Sequence, residues 1–231
     1  MTQEFIESSV FFGAAVSLTA YGIGMYLNRK FHFALFNPLL ISIILTIAVL
    51  LLMNVSYDSY YRGAQYLSYL LTPATVCLAV PLYEKLETLK KNWKAILAGI
   101  LSGILSSFGC VLAMSLLFRL NHGEYVTFLP KSITTAIGIS VAEELGGYVS
   151  IAAAAIIITG IVGNISAEIL LRIFRVTEPV AKGIAIGSSS HVIGTTKAVE
   201  MGGTEGAVSS LSIVVSGLIT AVAASFFAQI I

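Results

Sequence analysis

Five stretches of this chain contain no Asp, Glu, Lys or Arg: residues 33–57, 63–83, 95–118, 148–167 and 206–231. A sixth, 5–27, carries one charge, Glu7. Each approaches or exceeds the roughly 20 apolar residues that cross a bilayer as a helix. Charged residues make up 11% of the chain, against about 25% in ordinary soluble domains. A soluble fold would have to bury several all-apolar helices with almost no surface left to dissolve them. The strict apolar/polar alternation of a membrane barrel is absent. These runs predict an all-α integral membrane protein lying in the bilayer as a single transmembrane domain over residues 1–231. Glu4 and Glu7 stand where a cleavable signal would carry basic residues, so 5–27 is expected to remain as a span.

Lys and Arg mark the cytoplasmic side of such proteins. They cluster at Arg29/Lys30, at Lys85/Lys90/Lys91/Lys94 and at Arg172/Arg175/Lys182. All three clusters face one side if residues 128–146 enter the membrane and return. The apolar core of that segment, 133–142, is flanked by Lys131 and Glu143/Glu144 and is too short to cross. The expectation is therefore about seven transmembrane helices plus a re-entrant or interfacial segment, N-terminus outside and C-terminus inside. An N-terminal span (5–32), a first repeat (33–119) and a second repeat (147–231) then form two inverted-topology triplets with discontinuous middle helices. Helices broken by Gly or Pro at matching places in two halves point to a midplane binding site. One candidate carries Pro73 and Pro81; the other is GIAIGSSSHVIGTTKAVEMGG, residues 183–203.

Broken backbone survives in hydrocarbon only where it is buried in protein or lines a cavity. A half-helix beginning there offers free N–H groups and a partial positive charge to an anion. On this ground the expected substrate-binding residues are Pro73, Ala74, Thr75, Ser188, Ser189, Ser190, His191, Gly194 and Thr195. Pro130 at a first helical position, followed by Lys131, Ser132, Thr134 and Thr135, repeats the same chemistry, with Lys131 drawing anions from outside. His191, Lys197 and Glu200 form a candidate coupling or charge pair, since titratable groups at membrane depth are costly and usually functional. The bland alternatives are proline kinks, small residues for helix packing, a structural histidine and a snorkelling lysine.

The blocks NPLLIS (37–42), SYDSYYRG (56–63), LTPATVCLAVPLYE (71–84), LPKSITTAIG (129–138) and GSSSHVIGTTKAVEMGGTEGAVSSL (187–211) resemble the LrgB/CidB family of bacterial membrane proteins. The resemblance runs from about residue 33 to the end and lies closer to the CidB side. It implies a bacterial cytoplasmic membrane location. It also implies a small holin-type membrane partner, LrgA or CidA, with which such proteins control murein hydrolase activity and lysis. It further implies kinship with the C-terminal half of a plant plastid glycolate/glycerate transporter and a link to pyruvate uptake.

The expected function is a secondary-type transporter for small monocarboxylates of the pyruvate, lactate and glycolate class, acting with an LrgA/CidA-like partner. The alternative is a regulator of holin-like assembly and murein hydrolase release without a carried solute. No enzyme is expected: Ser189 beside His191 lacks the nucleophile, base and orienter geometry of a hydrolase. No metal spacing, P-loop or dinucleotide fingerprint occurs, so no cofactor is expected, with H+ or Na+ as candidate coupling ions. A net charge of +1 gives no reason to expect nucleic acid, and a homo-oligomer stays open. Cys77 and Cys110 read as small buried hydrophobes.

Overall fold

The computed structural model describes residues 11–31, 36–77 and 79–231. Every regular element among them is helical: α1 (Phe12–Phe31), α2 (Pro38–Leu52), α3 (Tyr57–Ser68), α4 (Leu71–Cys77), α5 (Ala79–Glu84), α6 (Leu86–Lys91), α7 (Trp93–Phe118), α8 (His122–Phe128), α9 (Thr135–Glu144), α10 (Val149–Ile173), α11 (Pro179–Met201) and α12 (Gly203–Phe227). The chain divides into two units, Met1–Cys77 and Leu78–Ile231.

In the first unit α1 packs on α2 and α3 through glycines. A β-carbon at Gly24 would lie 2.6 Å from the Pro38 carbonyl oxygen, and Gly13 closes on Tyr60 and Ala64 in the same way. The Ser17 and Tyr60 hydroxyls are hydrogen-bonded at 2.7 Å. Asn37 starts α2 as its cap: its side-chain oxygen accepts from Leu39 N and Leu40 N, with Pro38 in the first turn, where a missing N–H costs nothing. The expected span over 63–83 is not one rod. α3 ends at Ser68 and α4 begins at Leu71. Pro73 sits third in α4, within the first turn, where its missing N–H removes no helical hydrogen bond, and Pro81 lies in α5.

The second unit holds three helices long and apolar enough to cross a membrane, Trp93–Phe118, Val149–Ile173 and Gly203–Ile230. Between α7 and α10 the chain makes a helical hairpin, α8–turn–α9. Its base closes where Tyr148 N donates to Thr127 Oγ1 (2.8 Å). α9 has 10 residues, about 15 Å at ~1.5 Å per residue, against a hydrocarbon core of roughly 30 Å. Pro130 lies in the buried turn rather than at a helix start, because α9 begins only at Thr135.

α11 departs most from expectation. Its backbone leaves helical geometry at His191 (φ 43, ψ −143), and the two sides of that break run in opposite directions. Gly183 faces Glu205 and Val208 while Gly187 faces Ser209 and Ser212, so residues 179–190 run parallel to α12. Val199 faces Gly206, and Thr195 Oγ1 meets Ser209 Oγ at 2.6 Å, so residues 192–201 run antiparallel to it. Ile186, Ala198 and Ala167 share one buried cluster. The element is a second hairpin with its tip at 190–194, not the crossing helix expected for the middle of the second triplet.

The two hairpins enter from opposite ends. One end carries Lys91, Lys94, Arg172, Arg175 and the α11–α12 turn. At the other, His122 Nδ1 is hydrogen-bonded to the Ile231 carbonyl (2.6 Å) and the Tyr125 hydroxyl donates to the Phe227 carbonyl (3.0 Å). The C-terminus therefore lies opposite the Lys91 and Arg172 clusters. The expectation that it shares their side fails because α11 does not cross. With Cys77 and Cys110 replaced by alanine, membrane-impermeant maleimide should label Thr177→Cys and Gly203→Cys from one face and Asn121→Cys from the other. Labelling of 177 and 203 from opposite faces would restore a crossing α11.

Candidate membrane cavity

The second unit forms an open cavity of about 1250 Å³. It runs from Thr88, Asn92, Glu178 and Thr204 at the Lys91 end to Lys131, Ser132 and Ser188–Ser190 at the hairpin tips. One wall is a stripe of small and hydroxyl residues on α7: Gly99, Ser102, Gly103, Ser106, Ser107 and Cys110. Lys131 is the single cation of the lining and Glu178 the single anion. Lys131 Nζ donates to Ser132 Oγ (3.2 Å), and Ser132 Oγ is hydrogen-bonded to Ser107 Oγ (3.2 Å) near the middle of α7. The ion pairs among the described residues join Lys197 to Glu168 and Glu200, and Lys131 is in neither. An ammonium held among hydroxyls in an apolar frame, with no carboxylate at its depth, favours a small anion over a cation.

The serines of the α11 tip are partly committed. Ser188 Oγ donates to Ile184 O (2.7 Å) and Ser189 Oγ to Ala185 O (2.6 Å), each bonding back to the preceding turn. Ser189 and Ser190 are within 2.9 Å of one another. Their oxygens remain free to accept, which leaves Lys131 as the donor with the most unused capacity.

His191 does not line this cavity. The ring is 2% exposed, turned onto α10, where Nε2–H donates to the Ile156 carbonyl (2.9 Å). That bond holds the fold-back. A β-carbon at Gly160 would lie 2.6 Å from His191 Cε1, so only glycine leaves room for the ring. Asn164 Nδ2 supports the same tip by donating to Ile193 O (2.8 Å). Thr195 Oγ1 donates to His191 O (2.9 Å), and Gly194 packs against Ser190 and Ile186.

Lys197, 2.9 Å from Glu168 and 3.1 Å from Glu200, belongs to a partly exposed ion pair apart from His191. Thr134 and Thr135 begin α9 outside the cavity lining. Pro73 and Ala74 are in α4 of the first unit, and the side chain of Thr75 lies outside the described residues. Lys131 is at the blind end of a cavity that leads to the Lys91 end, not at an outer mouth as expected.

Cys110 faces the cavity, and both cysteines are exposed free thiols rather than buried ones. No cluster of His, Cys, Asp or Glu suited to a metal occurs among the described residues. The α7 stripe was not singled out from sequence, although Gly99, Gly103, Ser106/Ser107 and Cys110 recur at the spacing of one helix face.

Three membrane-length helices and two opposed hairpins beside an open cavity define a multi-pass helical membrane protein. The chain belongs to the LrgB-like family, whose profile matches residues 17–230. It is 36% identical over 224 residues to the antiholin-like protein LrgB of Bacillus subtilis (strain 168), covering 96% of this chain and 97% of that protein. It is 35% identical over 218 residues to the proteins of the same name from Bacillus mycoides (strain KBAB4) and Bacillus cereus (strain B4264), covering 94% of this chain and 95% of each. No solved structure matches.

Gly160→Ala should lower the unfolding temperature of the detergent-solubilised protein, overpacking of this kind costing about 1–3 kcal/mol. Gly109→Ala, with no atom within 4 Å of the added carbon, should leave it unchanged or raise it. Equal effects would mean that the His191 ring does not need the space Gly160 leaves.

Proposed function

We propose that the second unit carries small monocarboxylates of the pyruvate, lactate and glycolate class across the bacterial cytoplasmic membrane, together with an LrgA/CidA-like partner. The observation that carries this reading is the cavity ending at Lys131 between two opposed hairpin tips. A carboxylate takes up the free donor capacity of Lys131, while the apolar frame and the small residues of α7 accept a short carbon chain. Positive charge is concentrated at the end holding Lys90, Lys91, Lys94, Arg172 and Arg175, which makes that end cytoplasmic and places Ile231 outside. The cavity is then open to the cytoplasm. Hairpins entering from opposite sides to meet at mid-depth are a construction used by secondary transporters, which supports this reading. His191 acts as a positioning residue for the tip rather than as a ligand, and H+ or Na+ coupling is a separate property to be measured.

The second reading is control of a holin-like partner and of murein hydrolase release without a carried solute. The relatives' names favour it, since each is called antiholin-like, and on the comparisons alone it stands ahead. Both readings place the chain beside a small membrane partner.

Uptake of labelled pyruvate, lactate and glycolate into proteoliposomes, with and without that partner, separates them. Saturable uptake of at least one acid, reduced tenfold or more by Lys131→Gln in protein that still inserts and folds, supports the carrier. Uptake equal to empty vesicles for every acid, with autolysis altered in cells lacking the chain, supports the regulator.

A further inference from the structure

The cavity ends at the tip of the α8–α9 hairpin, where Lys131 and Ser132 line it. A void of about 10 Å³ lies directly behind it, sharing Ser107, Ser132 and Ser188 with the cavity and adding Phe108, Leu129 and Ile133. Beyond these come Tyr125 and Val126 of α8, both fully buried. Leu129, Ser132 and Ile133 are in the turn between α8 and α9, and with Ile104 and Phe108 of α7 and Thr220 of α12 this turn separates the cavity from the Arg119 end.

The two hairpins are held in unlike ways. The α11 hairpin presses backbone on backbone: β-carbons at Gly183 and Gly206 would come within 2.7 Å of Glu205 O and 3.1 Å of Val199 Cα. The break at its tip is further fixed by His191 and Asn164. The α8–α9 hairpin meets its neighbours through side chains. Gly138 faces the Ile156 side chain and Gly217 the Ile137 side chain, and among the described residues the tip's hydrogen bond to α7 is that between Ser132 and Ser107. Its base is tied down by Tyr125 and His122 on the end of α12. Side-chain contacts part at lower cost than interlocked backbones, which have little room to slide.

Building on the carrier reading, we propose that the α8–α9 hairpin is the outer gate of the cavity: parting Ser132 from Ser107 exposes Lys131 to the Arg119 end while the α11 hairpin stays in place. The closed arrangement faces the Lys91 end, and gate opening gives access to the other side of the same site. Solute binding at Lys131 would then be linked to the gate, because Lys131 precedes Ser132 in the moving turn.

The test needs no solute. Ser189→Cys serves as the reporter in the cavity, with Cys77 and Cys110 replaced by alanine. Ser107→Cys and Ser132→Cys together provide an oxidisable lock. In reconstituted protein that has been reduced and then freed of reductant, an impermeant methanethiosulfonate cation should add its mass at position 189 from either face, with protein lacking the reporter as the control. After oxidation to the 107–132 disulfide, confirmed by mass, modification from the Arg119 face should fall at least tenfold while that from the Lys91 face persists. Modification from the Arg119 face that is absent before locking, or unchanged by it, overturns the gate. Uptake of labelled lactate by the same preparations is read separately. A lock that blocks reporter access in a protein carrying no acid leaves the gate standing and removes the carrier reading alone.

Discussion

The bond from His191 Nε2 to the Ile156 carbonyl holds the second unit in the shape that matters. A chain turning back inside hydrocarbon leaves peptide groups without helical partners, and each unpaired group there costs several kcal/mol. This fold pairs tip carbonyls with side chains: Asn164 of α10 donates to Ile193 O and Thr195 to His191 O, while the imidazole of His191 donates to Ile156 O of α10 across the space that Gly160 leaves open. Lateral support comes from glycines that let α12 approach both halves of the hairpin. With the tip fixed, Ser188–Ser190 line the cavity together with Lys131 and the α7 stripe, and Ser188 lies against Gly103. Without the fold-back, residues 179–201 would cross the membrane and no vestibule would end at mid-depth.

The same constraint gives the polar run a different role from the one its residue types suggest. Histidine, threonine and glycine at membrane depth invite a reading as ligands, yet His191, Gly194 and Thr195 are spent on structure. His191 and Thr195 hydrogen-bond to backbone and to Ser209, and Gly194 gives way to Ser190. The group left with spare donors is Lys131, whose partner is a neighbouring serine. Economy of charge makes that informative: a cation at such depth without a carboxylate is an expensive feature that a transient anion would relieve.

Much of this was legible beforehand. Charge-free runs gave the helical membrane class and the long helices α7, α10 and α12, because length and apolarity are local properties. The short apolar core before Glu143/Glu144 gave a segment too brief to cross, and the comparisons place the chain in the family its motifs resemble. The direction of residues 192–201 was hidden. A kinked crossing helix and a re-entrant hairpin share the same Gly/Ser-rich interruption, and only contacts with α12 distinguish them. From that single ambiguity followed the misplaced C-terminus and the assignment of His191 to the cavity. The α7 stripe was missed for a milder reason, since small residues in a span read equally well as helix packing.

The fold-back is therefore the claim on which the cavity, the end assignment and the gate all stand. Spin labels at Ala181→Cys and Glu200→Cys, with Cys77 and Cys110 replaced by alanine, measure it directly by dipolar electron paramagnetic resonance. A hairpin with helices packed about 8–10 Å apart predicts strong broadening and a separation below about 20 Å once label length is included. A continuous helix would hold these positions about 28 Å apart at ~1.5 Å per residue. A distribution centred there would contradict the account.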